Sequence, residues 1–403
     1  MTDWFPSRRR FLLSCATVGL SGCSALQADP PAPGPGDWTH PRSDAARTGH
    51  SPVGDLREQP SVAWRIDLEH VGAPNAAATL FDGTLYHPDG GFLAVDATDG
   101  TVRARGTETT FSAPVVAPTA AYRNETLVFG GAGTVTGANP SGTVPGDLRQ
   151  RWRFPGPPGE SLFPSFAAGA DEPGPAVADG TVYWSGPVSG DDSLVAIDAS
   201  SGRKHWHVTA ENGLHEPVVA DGAVFAGNLA DVVVAVDHDG TERWRVRRDI
   251  RFVDWNRFVA DDERLYLARS EHVAALDTTT GEEVWSQALT ARNGTRPALA
   301  DGTLFVGVST EEEASDALVA LDAATGEQRW SVPAGSHDRP PVVAGETLYQ
   351  VDYDTIVARD VTDGTERWRW TNPTEDQLAV PTPSDRRLYV PALRELLALE
   401  VPT

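Results

Sequence analysis

LVALDAATGEQRW, residues 318–330, decides the fold. An alternating run of aliphatic and small residues reaches Asp322, the chain turns through Gly326, and a second run ends on Trp330. Alternation at period two on both sides of a Gly-containing turn predicts a β-hairpin. The string recurs as LVAIDASSGRKHW (194–206), VVAVDHDGTERW (233–244), VAALDTTTGEEVW (273–285) and IVARDVTDGTERW (356–368). The terminal tryptophans fall 38, 41, 45 and 38 residues apart. That period suits a four-stranded propeller blade of about 40–45 residues and is too long for a leucine-rich or ankyrin unit.

A second piece lies between these hairpins: PAVADGTVYW (175–184), PVVADGAVFAG (217–227), PALADGTLFVG (297–307) and PVVAGETLYQ (341–350). Each supplies two more short strands around a tight turn, so one period makes one four-stranded blade. The N-terminal half repeats the plan with more wear. LFDGTLY (80–86) pairs with FLAVDATDG (92–100), NETLVFGG (124–131) pairs with VTGANPSG (135–142) before Trp152, and Ala104 falls in the first Trp slot. Inner pieces begin near residues 74, 114, 175, 217, 255, 297, 340 and 381, which counts eight, with seven the competing count. The last piece lacks a Trp-ended outer strand, whereas SVAWRIDL (61–68) stands unpaired ahead of the first. Ring closure reconciles the two: the strand carrying Trp64 completes the blade that the C-terminal piece begins. The expectation is an all-β, eight-bladed β-propeller of four-stranded antiparallel blades over residues 38–403.

Composition bounds the partners. The chain carries 57 acidic against 33 basic residues, a formal charge of −24, which argues against nucleic acid and for a self-repelling, monomeric surface. Lys204 is the one lysine among the basic residues. This Arg-for-Lys usage on an acidic chain resembles proteins of salt-adapted archaea, in which molar salt screens the repulsion; an acidic protein of a GC-rich mesophile is the competing source. Both cysteines, Cys15 and Cys23, precede the repeats, so the propeller has no thiol for a disulfide or for catalysis.

Residues 1–22 read as a targeting signal: a basic start at Arg8, Arg9 and Arg10, a short apolar run from Phe11 to Leu20, then small residues before Cys23. About ten apolar residues are too few to span some 30 Å of hydrocarbon. The string Ser7-Arg8-Arg9-Arg10-Phe11-Leu12 resembles the twin-arginine export signal, and Leu20-Ser21-Gly22-Cys23 resembles a lipobox. That resemblance implies lipidation of Cys23 and a membrane anchor on the extracytoplasmic face. Cleavage before Cys23 leaves 30 basic and 56 acidic residues, a charge of −26. Residues 23–37, rich in Pro and Gly, read as a stiff tether.

The string A-x-D-x-x-x-G-x-x-x-W, at Ala196 to Trp206, Ala275 to Trp285, Ala320 to Trp330 and Ala358 to Trp368, resembles the tryptophan-docking repeat of PQQ quinoproteins and of BamB-type assembly lipoproteins. The opening DWTHPRSDAARTGHSP (37–52) is similar to the lead-in of such propellers. The resemblance covers nearly all of the mature chain. Trp64, Trp152, Trp206, Trp244, Trp285, Trp330 and Trp368 are accordingly structural, each packing between blades with its indole N–H on a backbone carbonyl.

The superfamily holds enzymes and scaffolds alike. By resemblance, a PQQ dehydrogenase would carry a vicinal cysteine pair, a calcium site with Glu and Asn ligands, a catalytic Asp and a larger chain; the cysteine pair is absent. Candidate ligand-binding residues at the channel mouth precede the inner strands: Glu216 beside His215, Asp254 and Asn256, Arg296 beside Thr295, and Asp338 and Arg339 after His337. Solvated loop residues on an acidic surface are the competing reading for all of them. His205 and His207 flank Trp206 at strand spacing and, without a third ligand, read as surface residues. No GxSxG, P-loop or HExxH string occurs. Asn124 and Asn293 open glycosylation sequons. The reading is a non-enzymatic, lipid-anchored scaffold that needs no cofactor or metal and binds a protein or small ligand. The alternative is a quinoprotein-like oxidoreductase with PQQ and Ca²⁺ in the channel, and a third class is an extracytoplasmic sensor or solute-binding component.

Overall fold

A computed structural model describes residues 33–69, 77–89, 92–106, 112–118, 125–131, 134–139, 150–155, 174–188, 191–228, 232–247, 257–269, 271–289, 292–293, 295–309, 316–335 and 339–402. Eight antiparallel blades follow one another round a ring. Their innermost strands are Thr79–Phe81, Val115–Ala117, Ala176–Ala178, His215–Ala220, Arg257–Ala260, Ala298–Ala300, Val342–Ala344 and Thr382–Ser384, which number blades 1 to 8. The eight-blade count therefore holds, and each inner strand begins within a few residues of its expected place.

The turn between the first two strands of blade 6 shows why the sequence folds this way. Asp301 and Gly302 have φ of 45° and 69°, the left-handed pair that a two-residue hairpin turn demands, and Asp-Gly tolerates it best. The innermost strands bury both faces, as Ala298–Ala300 does, because they pack between neighbouring blades. Outer strands alternate: Gln328–Pro333 exposes every second residue or more. With four antiparallel strands per blade, the first turn of every blade and the third turn of blades 1 to 7 lie on one side of the ring. The second turn and the connection to the next blade lie on the other. These are the tight-turn side and the linker side.

Blade 8 is built from both ends of the chain. Ser61–Asp67 pairs antiparallel with Glu395–Glu400, matching Arg65 to Leu397 and Asp67 to Glu395. This is the ring closure expected from the orphan strand, and it removes the exposed edge of an open sheet.

The seven tryptophans form the seams. The indole N–H of Trp64 donates to the carbonyl of Ala97, Trp152 to Ala199, Trp206 to His238, Trp244 to Thr278, Trp285 to Ala323 and Trp330 to Val361, at 2.8–3.2 Å. Every one of these acceptors is the residue after the turn Asp of the next blade. The turn glycine has a second duty. Gly326 has φ of 76° and lies under the indole of Trp285, where a Cβ would sit 2.6 Å from Cε3. A close-packed interior admits no such overlap.

A further repeat, Asp to Arg, escaped the sequence reading. The turn Asp binds an Arg on the following outer strand: Asp96 with Arg103, Asp237 with Arg243, Asp322 with Arg329 and Asp360 with Arg367, at 2.6–2.8 Å. Arg103, Arg329 and Arg367 also reach a threonine hydroxyl two strands away. In blade 3 the position holds His205, 3.9 Å from Asp198, and in blade 5 it holds the exposed Val284.

Candidate functional site at the channel

The residues before the inner strands rim the channel on the linker side. Of the six expected there, Arg296 and Arg339 are described, and both are buried, at 6% and 5% exposure. They are not solvated loop residues. Arg296 donates to the carbonyl of Phe258 on the preceding blade at 3.1 Å, and Arg339 to that of Leu378 before blade 8 at 3.2 Å. Thr295 is buried beside them. Glu216 belongs to the innermost strand of blade 4, but its side chain lies outside the described residues, as do Asp254, Asn256 and Asp338. Asn124, the side chain of Asn293 and the long connection around 156–173 fall outside them too, as does the whole of 1–32 with Arg8, Arg9 and Cys23.

What sequence reasoning did not place is the lead-in, Trp38–Ser51, which lies within the channel against the inner strands. It visits blades 1 to 7 in order. Trp38 exchanges two backbone bonds with Leu80 (2.8 and 2.9 Å), and Val116 N–H donates to Thr39 O (2.9 Å). On blade 3, Val177 N–H donates to the His40 ring at Nε2 (3.0 Å). Val219 then donates to Ala45 O, Ala260 to Ala46 O, Leu299 to Thr48 O and Val343 to Gly49 O, at 2.8–3.1 Å. In six of these blades the donor is the next-to-last residue of the inner strand, and in blade 5 it is the last, Ala260. At the corresponding place in blade 8 stands Pro383, which has no N–H to give.

Two arginines of the lead-in span the lumen. Arg42, placed in the chain between the contacts to blades 3 and 4, reaches the carbonyls of Pro297 and Pro341 at the entrances to blades 6 and 7, both at 3.0 Å. Arg47 turns the other way, to Pro217 O (3.0 Å) and Gly174 O (2.6 Å) beside blades 4 and 3. Both are about 95% buried. A guanidinium donating to carbonyls at two blades fixes their separation, since its donors form a rigid fork. Around them the lead-in is self-bonded: Asp44 accepts from the Thr48 N–H and hydroxyl, and Ser43 Oγ donates to His50 O.

Burial sets the charge states. It pushes the His40 ring down to about 3, with the Arg47 cation adding to the effect, so the ring stays neutral and keeps its acceptor nitrogen on Val177. Burial also raises the Asp44 carboxyl, against the bonds from Thr48, and lowers His50. His205 and His207 meet Asp198 and Lys204 at the surface. Among the described residues no group of three or more His, Cys, Asp or Glu side chains converges as a metal site.

Eight four-stranded blades, tryptophan seams and a two-ended closing blade define a PQQ-like β-propeller. A profile described as outer membrane protein assembly factor BamB matches residues 145–254, 230–345 and 269–400, and the chain belongs to that family. None of the curated proteins matches it in sequence. Among solved structures it is similar to quinohemoprotein alcohol dehydrogenase from Comamonas testosteroni, with 13% identity, TM-score 0.66, and 97% and 85% of the two chains covered. It is likewise similar to BamB from Moraxella catarrhalis (18%, TM-score 0.59, 85% and 98%) and to a europium-containing methanol dehydrogenase (11%, TM-score 0.62, 91% and 98%). At these identities the likeness is one of fold.

Proposed function

We propose that the chain is an exported, lipid-anchored propeller that acts as a non-enzymatic interaction scaffold at the cell surface, held by Cys23 after export directed by Arg8 and Arg9. The observation that supports this reading is the passage of the lead-in through the lumen. Arg42 and Arg47 of the chain itself cross the channel and bind four carbonyls of its walls, which leaves the linker-side rim as the surface offered to a protein or small ligand. The point of entry adds an orientation. Asp82 N–H donates to Asp37 Oδ1 at 3.1 Å, and a Cβ on Gly36 would lie 3.5 Å from Asp385, so the lead-in joins the ring beside the tight turns of blades 1 and 8. Anchoring at Cys23 then draws the tight-turn side toward the lipid and turns the linker side outward.

The test has two arms. Cys23→Ser is expected to release the protein from membranes into the medium, and retention of that variant on membranes would remove the anchor. Titration with PQQ and Ca²⁺ in molar KCl, followed by quinone absorbance and heat, is expected to give no saturable binding. Saturable one-to-one binding lost in Glu216→Ala or Asn256→Ala would replace the scaffold with the quinoprotein oxidoreductase.

A further inference from the structure

We infer that the lead-in is a clasp in the channel that holds the ring shut, so that blades 1 to 7 cannot part from one another until the whole segment is withdrawn. Three features carry this. The segment contacts seven successive inner strands through one bond or bond pair each, so its grip is spread over the ring rather than concentrated in one blade. The acceptors are main-chain carbonyls and one imidazole held neutral by burial, and the seven amides they satisfy belong to strand edges that otherwise face the lumen. Finally, Arg42 and Arg47 tie the far walls to the same short stretch, Arg42 to blades 6 and 7 and Arg47 to blades 3 and 4.

The arrangement leaves little freedom inside the segment. Gly49, at φ 65°, lies against the Arg42 side chain, where a Cβ would sit 2.1 Å from Nη2, and its N–H donates to Arg42 O at 3.1 Å. A side chain at 49 would displace the guanidinium from the Pro297 and Pro341 carbonyls. The clasp is thus one cooperative unit: its parts hold one another as well as the walls.

Hydrogen exchange on the full chain in molar KCl, read by mass spectrometry with residue-level fragmentation, tests the idea without any variant. The seven inner-strand amides that the lead-in satisfies are expected to exchange at one common slow rate, as a single opening unit. Blade-specific rates spread over orders of magnitude would overturn the clasp, because they would mean that each blade lets go alone. Arg42→Lys and Gly49→Ala provide the second measurement. Each is expected to speed all seven amides by about ten-fold or more, while amides in the middle strands, such as those of Val195 and Val234, keep their rates. Acceleration confined to blades 6 and 7, which Arg42 touches, would show a local brace and sink the proposal.

Discussion

The indole N–H of Trp368 donates to the carbonyl of Leu56 across 2.7 Å, joining residues 312 positions apart. It departs from the other six docking bonds, whose acceptors follow a turn Asp in the next blade. Blade 8 has no such turn, because its last two strands come from different ends of the chain. Leu56 takes the missing place, and its own N–H donates to the Tyr349 hydroxyl at 2.8 Å. Trp368→Phe keeps the ring in the seam but strands a buried carbonyl. A loss of about 1–3 kcal/mol is expected, read as a lower midpoint in denaturant with an unchanged slope; an unchanged midpoint would show that the bond is dispensable.

Gly326 and Gly302 separate two costs of a glycine. Both have positive φ, but a Cβ at 302 meets nothing within 4 Å, whereas one at 326 strikes Trp285. Gly302→Ala is expected to lose about 1–2 kcal/mol from the left-handed backbone alone. Gly326→Ala should lose that and a further 1–3 kcal/mol or so from overpacking against the indole. Equal losses in paired thermal melts would show that the seam yields freely.

Blade 5 lacks the Asp–Arg clamp, so Val284→Arg should restore it opposite Asp277. Its gain is expected to be small, up to about 1 kcal/mol, because the position is exposed. The acid limb carries the clearer signature. In blade 6 the Arg329 guanidinium, with bonds from Thr325 and the turn amides, holds Asp322 down to about 2. Asp360 is also near 2, from the Thr362 hydroxyl first and Arg367 next. Carboxyls depressed in the fold stabilise it above the unfolded value near 4, and the benefit is lost as pH falls through about 2. The Val284→Arg gain should vanish in the same window. A gain that persists at pH 2 would not come from the ion pair.

His87 is 1% exposed, and neither ring nitrogen has a hydrogen-bond partner among the described residues. Burial holds it down to about 4 from the ordinary 6.5. The unfolded chain therefore binds a proton that the fold refuses between those values, and stability falls as pH is lowered through that range. His87→Phe is expected to flatten this fall by one proton's worth while costing little at neutral pH. Identical pH profiles for the two proteins would place the ring in contact with water.

With a formal charge of −24, the fold is expected to gain from screening. Raising KCl from about 0.1 M to 1 M shortens the Debye length from about 10 to 3 Å, and the unfolding midpoint should rise over that interval. A midpoint indifferent to salt would remove the salt-adapted reading.

Ring size, closure and seams were legible because their causes are local. A period-two strand, a turn Asp, a glycine and a terminal Trp each leave a mark in the sequence, and repetition multiplies it. The Asp–Arg clamp was equally local, at a spacing of six or seven, and went unread because Val284 and His205 interrupt it. The lead-in is different in kind. Its carbonyl contacts carry no residue preference, and Arg42 meets Pro297 and Pro341 over separations of 255 and 299 residues, so no window of sequence contains the interaction. Arg296 and Arg339 read in the sequence as channel-mouth ligand candidates, with solvated loop residues as the competing reading, and their burial stayed hidden for the same reason: it depends on carbonyls supplied by neighbouring blades.

Pairing Ser61–Asp67 with Glu395–Glu400 has a consequence for the order of events in the cell. Arg65 meets Glu395 only after the 329 residues between them have been made, and contacts so distant in sequence are slow to form. Until then the chain is an open crescent with two bare strand edges, the geometry most prone to pair with a stranger. If the chain takes the export route proposed above and that route accepts only finished folds, such a crescent would be held back, and translocation would serve as a check that the circle has been completed.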